Sequence, residues 1–301
     1  MPNLNVAVLG TPGYAKEIGK KSTSSDITFY DLKKGVDSVS IMEPSRYPDK
    51  ISSLFYCVAN ARFAILVVDK VDNLLGETVL MLDCMGVDQG WLVLRNFLQP
   101  EQIRPLLAGT SVEGFQIRED DPNAMREELL SMAAAMPIQE PAKDAVSCGS
   151  VPIDHHFNVK GVGTVILGSV MDGFIRKHDK MRVLPLLETV TLRSIQKHDD
   201  DWATAVEGDR VGLALKGIEA DRLDRGYVLS TDPSIKTSLQ METNAELVRF
   251  WPSALKEGMV MHIGHWMQMV PCRVLKAEGD DWRKPRLTLV FDTEMVHRPG
   301  D

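Results

Sequence analysis

The helical periodicity of this 301-residue chain stops near its middle. Up to about residue 135, continuous apolar runs alternate with amphipathic stretches. From Val151 onward short β-rich runs follow one another, punctuated by Lys160-Gly161, Asp172-Gly173, Glu207-Gly208-Asp209, Lys256-Glu257-Gly258 and Glu278-Gly279-Asp280. A chain patterned in this way divides into an α/β half and an all-β half. Strands at that spacing form barrels or sandwiches.

In the first half, Val6-Ala7-Val8-Leu9 reads as a buried strand leading into a glycine-containing turn and then a helix-like run. Ala64-Ile65-Leu66-Val67-Val68-Asp69 and Trp91-Leu92-Val93-Leu94 are further continuous apolar strands. Thr78 to Met85 and Pro122 to Ala135 have helical spacing, the latter started by Asp120 and Asp121. Apolar strands separated by helices imply a mostly parallel sheet covered on both faces. Pro137 to Lys143 reads as a linker, and a break near Asp232-Pro233 splits the β half. The expected domains are 1–140, 147–232 and 233–301. The last strands end in the turn-like Arg298-Pro299-Gly300-Asp301, so the third domain is expected to be an incomplete barrel or the chain to be shortened.

Composition narrows the function. The chain carries 34 Lys+Arg against 42 Asp+Glu, a net charge of −8, with no basic tail or stripe. Such a balance excludes a general nucleic-acid binder, so DNA is not expected and any RNA contact should be a local pocket. The four cysteines, Cys57, Cys84, Cys148 and Cys272, form no CxxC pair, which fits reduced thiols and no structural zinc. His262 and His265 would face opposite sides of a strand and make no metal pair. Met259, Met261, Met267 and Met269 read as core fillers, and Asp221 to Arg225 as a solvated turn. No apolar run reaches the roughly 18 residues of a membrane span, and the polar start has no signal-peptide form. A cytoplasmic protein with no membrane partner is expected.

A phosphate-binding loop needs G-x-x-x-x-G-K-[S/T] after a strand, so that backbone N–H groups and the lysine grip phosphate while the hydroxyl ligates Mg²⁺. After Val6–Leu9 the chain has Gly10-Thr11-Pro12-Gly13-Tyr14-Ala15-Lys16-Glu17. Gly10 and Lys16 keep the spacing and Gly13 stays in the loop. Ala15 replaces the second glycine, and Glu17 puts an anion where the Mg²⁺ hydroxyl belongs. The alternative is an ordinary strand–turn–helix with one surface lysine.

The stretch from Phe157-Asn158-Val159-Lys160-Gly161-Val162-Gly163-Thr164-Val165 through Ser194-Ile195-Gln196-Lys197-His198 to Gly208-Asp209-Arg210-Val211-Gly212 resembles the second domain of the EF-Tu-type elongation factors. With Asp154-His155-His156-Phe157 it is most similar to their selenocysteine-specific, SelB-type branch. The resemblance implies a P-loop-GTPase-like α/β domain followed by two β-barrels. It also implies that Glu43-Pro44-Ser45-Arg46-Tyr47-Pro48-Asp49 stands for the family's D-x-P-G-H. Glu43 there remains an acid, Arg46 replaces the glycine that approaches the γ-phosphate, and Tyr47 replaces the histidine. Arg95-Asn96-Phe97-Leu98 stands where N-K-x-D reads guanine, without Lys or Asp.

In the family the barrel surface, with the first domain, holds the 3′ end and aminoacyl group of a charged tRNA. The resemblance places Asp154, Phe157, Gln196, His198 and Arg210 at that contact. Strand alternation would put Gln196 and His198 on one face, with the turn at Gly208-Asp209 bringing Arg210 back toward them. The alternative makes Phe157 and Val159 barrel core, and Asp199-Asp200-Asp201 opposes a phosphate nearby. The expectation is an elongation-factor paralogue without GTP hydrolysis: no enzyme, no catalytic residues, no metal and no resident cofactor. Its partner would be tRNA, other RNA or the ribosome. The competing readings are a working GTP- and Mg²⁺-binding factor and a protein-interaction scaffold.

Overall fold

Runs of β-branched and aliphatic residues build the centre of the first half. A computed structural model describes residues 3–137 and 139–301; Ile138, in the expected linker, lies outside the described residues. Contacts divide the chain into one unit up to Lys143, joined by Gly208–Arg210, and a second of Asp144–Glu207 and Val211–Asp301.

The first unit contains β1 (Asn3–Leu9), α1 (Ala15–Ile18), β2 (Lys20–Ser24), β3 (Ile27–Lys34), β4 (Asp37–Pro44), α2 (Ile51–Ala59), β5 (Phe63–Val68), α3 (Asn73–Cys84), β6 (Gly90–Leu94), α4 (Pro100–Leu107), β7 (Gln116–Arg118) and α5 (Pro122–Ala135). Its seven strands lie in the order β2-β3-β4-β1-β5-β6-β7. Pairs β4–β1, β1–β5, β5–β6 and β6–β7 are parallel, whereas β3 runs antiparallel to both neighbours. Every residue of β1 and β5 is buried, as strands covered on both faces require. Helix α3 starts where the Asp72 side chain accepts from Leu75 N–H, and α5 where Asp121 accepts from Asn123 and Ala124. Each cap contributes about 1 kcal/mol.

The helix-like run expected after β1 is corrected. Helix α1 is a single turn, because Arg126 donates to the carbonyls of Glu17 and Ile18 and ends it there. The chain then turns at Gly19, where an added Cβ would lie 2.9 Å from Tyr30 Cβ. The residues up to Glu43 form β2 and a β3–β4 hairpin instead, turned at Gly35 with φ +63°. Alternating Ile27, Phe29 and apolar β4 residues carry that hairpin into the core.

The second unit opens with β8 (Cys148–Val159), β9 (Gly163–Ser169), β10 (Asp172–Arg176), β11 (Lys180–Leu184), β12 (Glu188–Lys197), β13 (Asp200–Trp202), β14 (Thr204–Val206), β15 (Arg210–Lys216) and β16 (Val228–Ser230). The path β8-β16-β11-β12-β15-β9 returns to β8 by the β8–β9 pairing, which closes a barrel. Val151, Ile153, Ile166, Val183 and Leu213 fill it. Leu223 belongs to this core at 1% exposure, so Asp221–Arg225 is not a wholly solvated turn; its one apolar side chain pulls it inward.

After Asp232, β17 (Lys236–Asn244), β18 (Val260–His265), β19 (Gln268–Glu278) and β20 (Arg286–His297) make a four-stranded antiparallel sheet in the order β17-β20-β19-β18. Cys272, Val274, Leu289 and Phe291 are its core, with Met259 and Met261 packed against them. Arg298 ties the connection down by ion pairs to Asp232, at 3.0 Å, and to Asp172. Among the described residues, no helix is long and apolar enough to cross a membrane.

Candidate nucleotide cleft and barrel surface

The parallel strands of the first unit end on one edge, and ligands of such sheets bind outside those carboxyl ends. Gly10 leaves β1 with φ +93°, and a Cβ there would come 2.0 Å from the Val67 carbonyl oxygen. The loop therefore hugs the end of β5. Thr11 Oγ1 donates to Asp69 Oδ2 at 2.7 Å, so this hydroxyl is engaged within the protein.

From there a chain of polar contacts crosses the strand ends. Arg95, just after β6, pairs with Asp69 (Nη1–Oδ1 3.6 Å) and with Asp120 beyond β7 (Nε–Oδ2 3.2 Å). Tyr14 donates its phenolic hydrogen to Asp120 Oδ1 at 2.6 Å. Burial first, and then Asp120, pushes the Tyr14 phenol far above its ordinary pKa. Tyr14, Arg95 and Asp120 line a shallow cavity of about 410 Å³ with Gly13, Lys16 and Glu17.

The lysine of the loop lies at the edge of this cavity. Lys16 and Glu17 are exposed and lie 3.7 Å apart, a pair that contributes little in water. Glu43 is buried and doubly engaged: Oε1 accepts from Ala15 N–H at 3.2 Å and Oε2 from Tyr30 OH at 3.1 Å. Arg46 is exposed, its backbone N–H donating to Ser53 Oγ. The Tyr47 hydroxyl shares its one hydrogen between Leu74 O at 3.1 Å and Glu77 Oε2 at 3.0 Å, and Tyr47 lines a second cavity of about 200 Å³. Asn96, at φ +52°, donates to Asp69 O, and Phe97 beside it has φ +61°.

Sequence reasoning overlooked Tyr14, Asp69, Arg95 and Asp120 as a set. Asp69, Arg95 and Asp120 each come just after a strand of the parallel sheet, and that placement was the available signal.

On the barrel, Asp154 is buried in β8 and its Oδ1 lies 2.6 Å from His155 Nδ1. Phe157, at 40% exposure, stands outside the core, which corrects its alternative reading as core; it sits near the end of β8, paired with Val165. Gln196 pairs with Gly212 in the β12–β15 register, and half-buried Arg210, two residues before Gly212, lays its guanidinium over the Phe29 ring, 3.6 Å from the centroid. Gln196 Nε2 donates to Asp201 Oδ1 at 3.1 Å. His198 does not share a face with Gln196 by alternation. It lies past the end of β12 with Asp199 in a two-residue turn, both at positive φ (+47° and +69°), as primed hairpin turns demand.

A sheet of the GTPase type followed by a closed barrel and a further β-domain is the architecture of EF-Tu/SelB-type proteins. The sequence description of elongation factor Tu domain 2 matches residues 163–230. The uncharacterized protein MJ0325 of Methanocaldococcus jannaschii is 37% identical over all of this chain and 94% of its own length. The selenocysteine-specific elongation factor of the same organism is 33% identical over 50% of this chain, which covers only 32% of that factor. The solved structure of elongation factor SelB from Methanococcus maripaludis, in complex with the GTP analogue GppNHp, superposes with a TM-score of 0.81 at 20% identity, covering 100% of this chain and 74% of that one. The chain belongs to one family with MJ0325 and is an elongation-factor-like protein of the EF-Tu/SelB type.

Proposed function

We propose that this protein is an elongation-factor relative that lacks GTP hydrolysis and acts by binding tRNA, other RNA or the ribosome. One observation carries the first part: Arg95 bridges Asp69 and Asp120 across the strand ends where a P-loop GTPase seats its nucleotide. A guanine nucleotide there would have to displace ion pairs and the Tyr14–Asp120 bond, and would gain no Mg²⁺ hydroxyl at Glu17. The residues present do not fit GTP with Mg²⁺. Nor does the second motif: the Tyr47 hydroxyl is engaged by Leu74 and Glu77 of α3 and so is not offered to an attacking water.

The RNA part is supported by family membership and by Gln196 and Arg210, an amide and a guanidinium that suit a base edge and a phosphate. The test is RNA binding by fluorescence anisotropy with charged and uncharged tRNA. Arg210→Ala should weaken binding by about 1–3 kcal/mol, the usual loss of a charged hydrogen bond, and should also melt somewhat below wild type because it loses the stacking on Phe29. Equal affinity in Arg210→Ala and Gln196→Ala would reject this site. No RNA binding by the wild-type protein would leave the scaffold reading.

A further inference from the structure

The β17–β18 and β19–β20 connections of the second unit carry aromatic and arginine residues in neighbouring pairs. The two connections are zipped together: Leu247 N–H donates to Arg283 O at 2.8 Å and Arg283 Nη1 to Val248 O at 3.3 Å. This brings the Arg249-Phe250 pair alongside the Trp282-Arg283 pair. In each, the guanidinium carbon lies over the adjacent ring, 4.6 Å from the Phe250 centroid and 4.4 Å from that of Trp282. Phe250 is 59% exposed and Trp282 39%. Two exposed rings set side by side form a patch, and a patch, unlike a lone exposed ring, marks a surface that takes a ligand.

We infer that these paired connections form a stacking platform for unpaired RNA bases, an inference that rests on the RNA-binding reading above. A nucleobase stacks on an aromatic ring whatever its identity, and a guanidinium beside the ring can reach the phosphate that follows. The surroundings argue against a protein partner. Glu246, Asp280, Asp281 and Lys284 flank the rings in the sequence, with Lys284 paired to Glu246 at 3.2 Å, whereas the centres of protein interfaces are depleted of such charges. The same carboxylates disfavour duplex RNA, whose phosphates are dense, while a flexible single strand can present bases to the rings and keep most phosphates away. With two arginines on the platform, affinity should depend only weakly on salt, as if about one or two phosphates were engaged.

The experiment measures fluorescence anisotropy of a labelled single-stranded RNA, with a hairpin duplex as the comparison, on the full chain. Wild type should prefer the single strand. Phe250→Ala and Trp282→Ala should each weaken it about five- to a hundredfold, the stacking of one base. Trp282→Phe keeps a ring and should bind close to wild type. Arg283→Lys keeps the charge but loses the flat face, and should weaken binding. Thermal melts matching wild type would show that the exposed variants fold. Single-strand binding that is unchanged in both alanine variants overturns the platform while leaving RNA binding in place. Preference for the duplex also overturns it. Absence of any RNA binding overturns both, including the case in which a protein proves to dock on these rings.

Discussion

Tyr14 and Asp120, 106 positions apart in the chain, are joined by a 2.6 Å hydrogen bond from the phenol to the carboxylate. Tyr14 comes from the loop that in a GTPase wraps phosphate, and Asp120 lies just beyond β7 at the far side of the cleft. The bond links the two margins of the cleft at the strand ends, with Arg95 between Asp69 and Asp120.

The first prediction measures that link. Tyr14→Phe should destabilise the protein by about 1 kcal/mol, one net hydrogen bond. Arg95→Ala should cost no more than about 1 kcal/mol, because its partners are partly exposed and screened by water. Urea denaturation curves give both numbers. A Tyr14→Phe protein as stable as wild type would show that the bond is not formed in solution.

Gly10 makes a sharper test of the loop. Gly10→Ala must place a Cβ 2.0 Å from the Val67 carbonyl oxygen at φ +93°, so the backbone has to move. A loss of about 2–4 kcal/mol is expected, in the range of strain at a special backbone angle. Gly13→Ala meets nothing within 4 Å and should lose only about 1 kcal/mol, the cost of its own positive φ. Equal losses at the two positions would contradict the close approach of the loop to β5.

Alkaline stability follows from two phenols. Burial, followed by Glu43 for Tyr30, pushes its pKa from 10.0 up to about 12; burial, with Glu77 adding to it, does the same for Tyr47. Below pH 10 both are protonated in the folded and unfolded chains, so their contribution is fully present. Between about 10 and 12 the unfolded chain loses these protons first, and stability falls. Denaturation midpoints across this range should decline less steeply in Tyr47→Phe than in wild type. Identical slopes would refute the raised Tyr47 value.

Much of this architecture is legible in the residues, and the exceptions have physical reasons. Helix α5 runs from Pro122 to Ala135, where Asp121 and the following proline mark its start. Helix α3 begins at Asn73, five residues before the expected Thr78, because Asp72 caps it and a cap needs no apolar neighbour. Strands β2 to β4 escaped the pattern because β2 is polar and exposed, and because α1 is ended by a residue from far along the chain, Arg126. The same holds for the cleft. Gly10, Lys16 and Glu17 announce a loop by spacing, but that Arg95 sits between Asp69 and Asp120 depends on strand order, which no local pattern contains. His198 escaped because one residue separates strand alternation from a two-residue turn.

Repairing one motif should not restore catalysis. Glu17→Thr returns the Mg²⁺ hydroxyl type to the loop, but under the proposed reading Arg46 and Tyr47 would still occupy the positions that approach the γ-phosphate and place the water. No multiple-turnover phosphate release is expected. Sustained GTP hydrolysis by this single variant would mean that the Glu43–Tyr47 stretch is not the second motif.

The most direct measurement is isothermal titration calorimetry of the full chain with GTP and GDP, each with and without Mg²⁺. The ion pairs of Arg95 and the anion at Glu17 predict dissociation constants no tighter than about 100 μM, roughly −5.5 kcal/mol, with no gain from Mg²⁺. Micromolar or tighter binding, strengthened by Mg²⁺, would contradict the account.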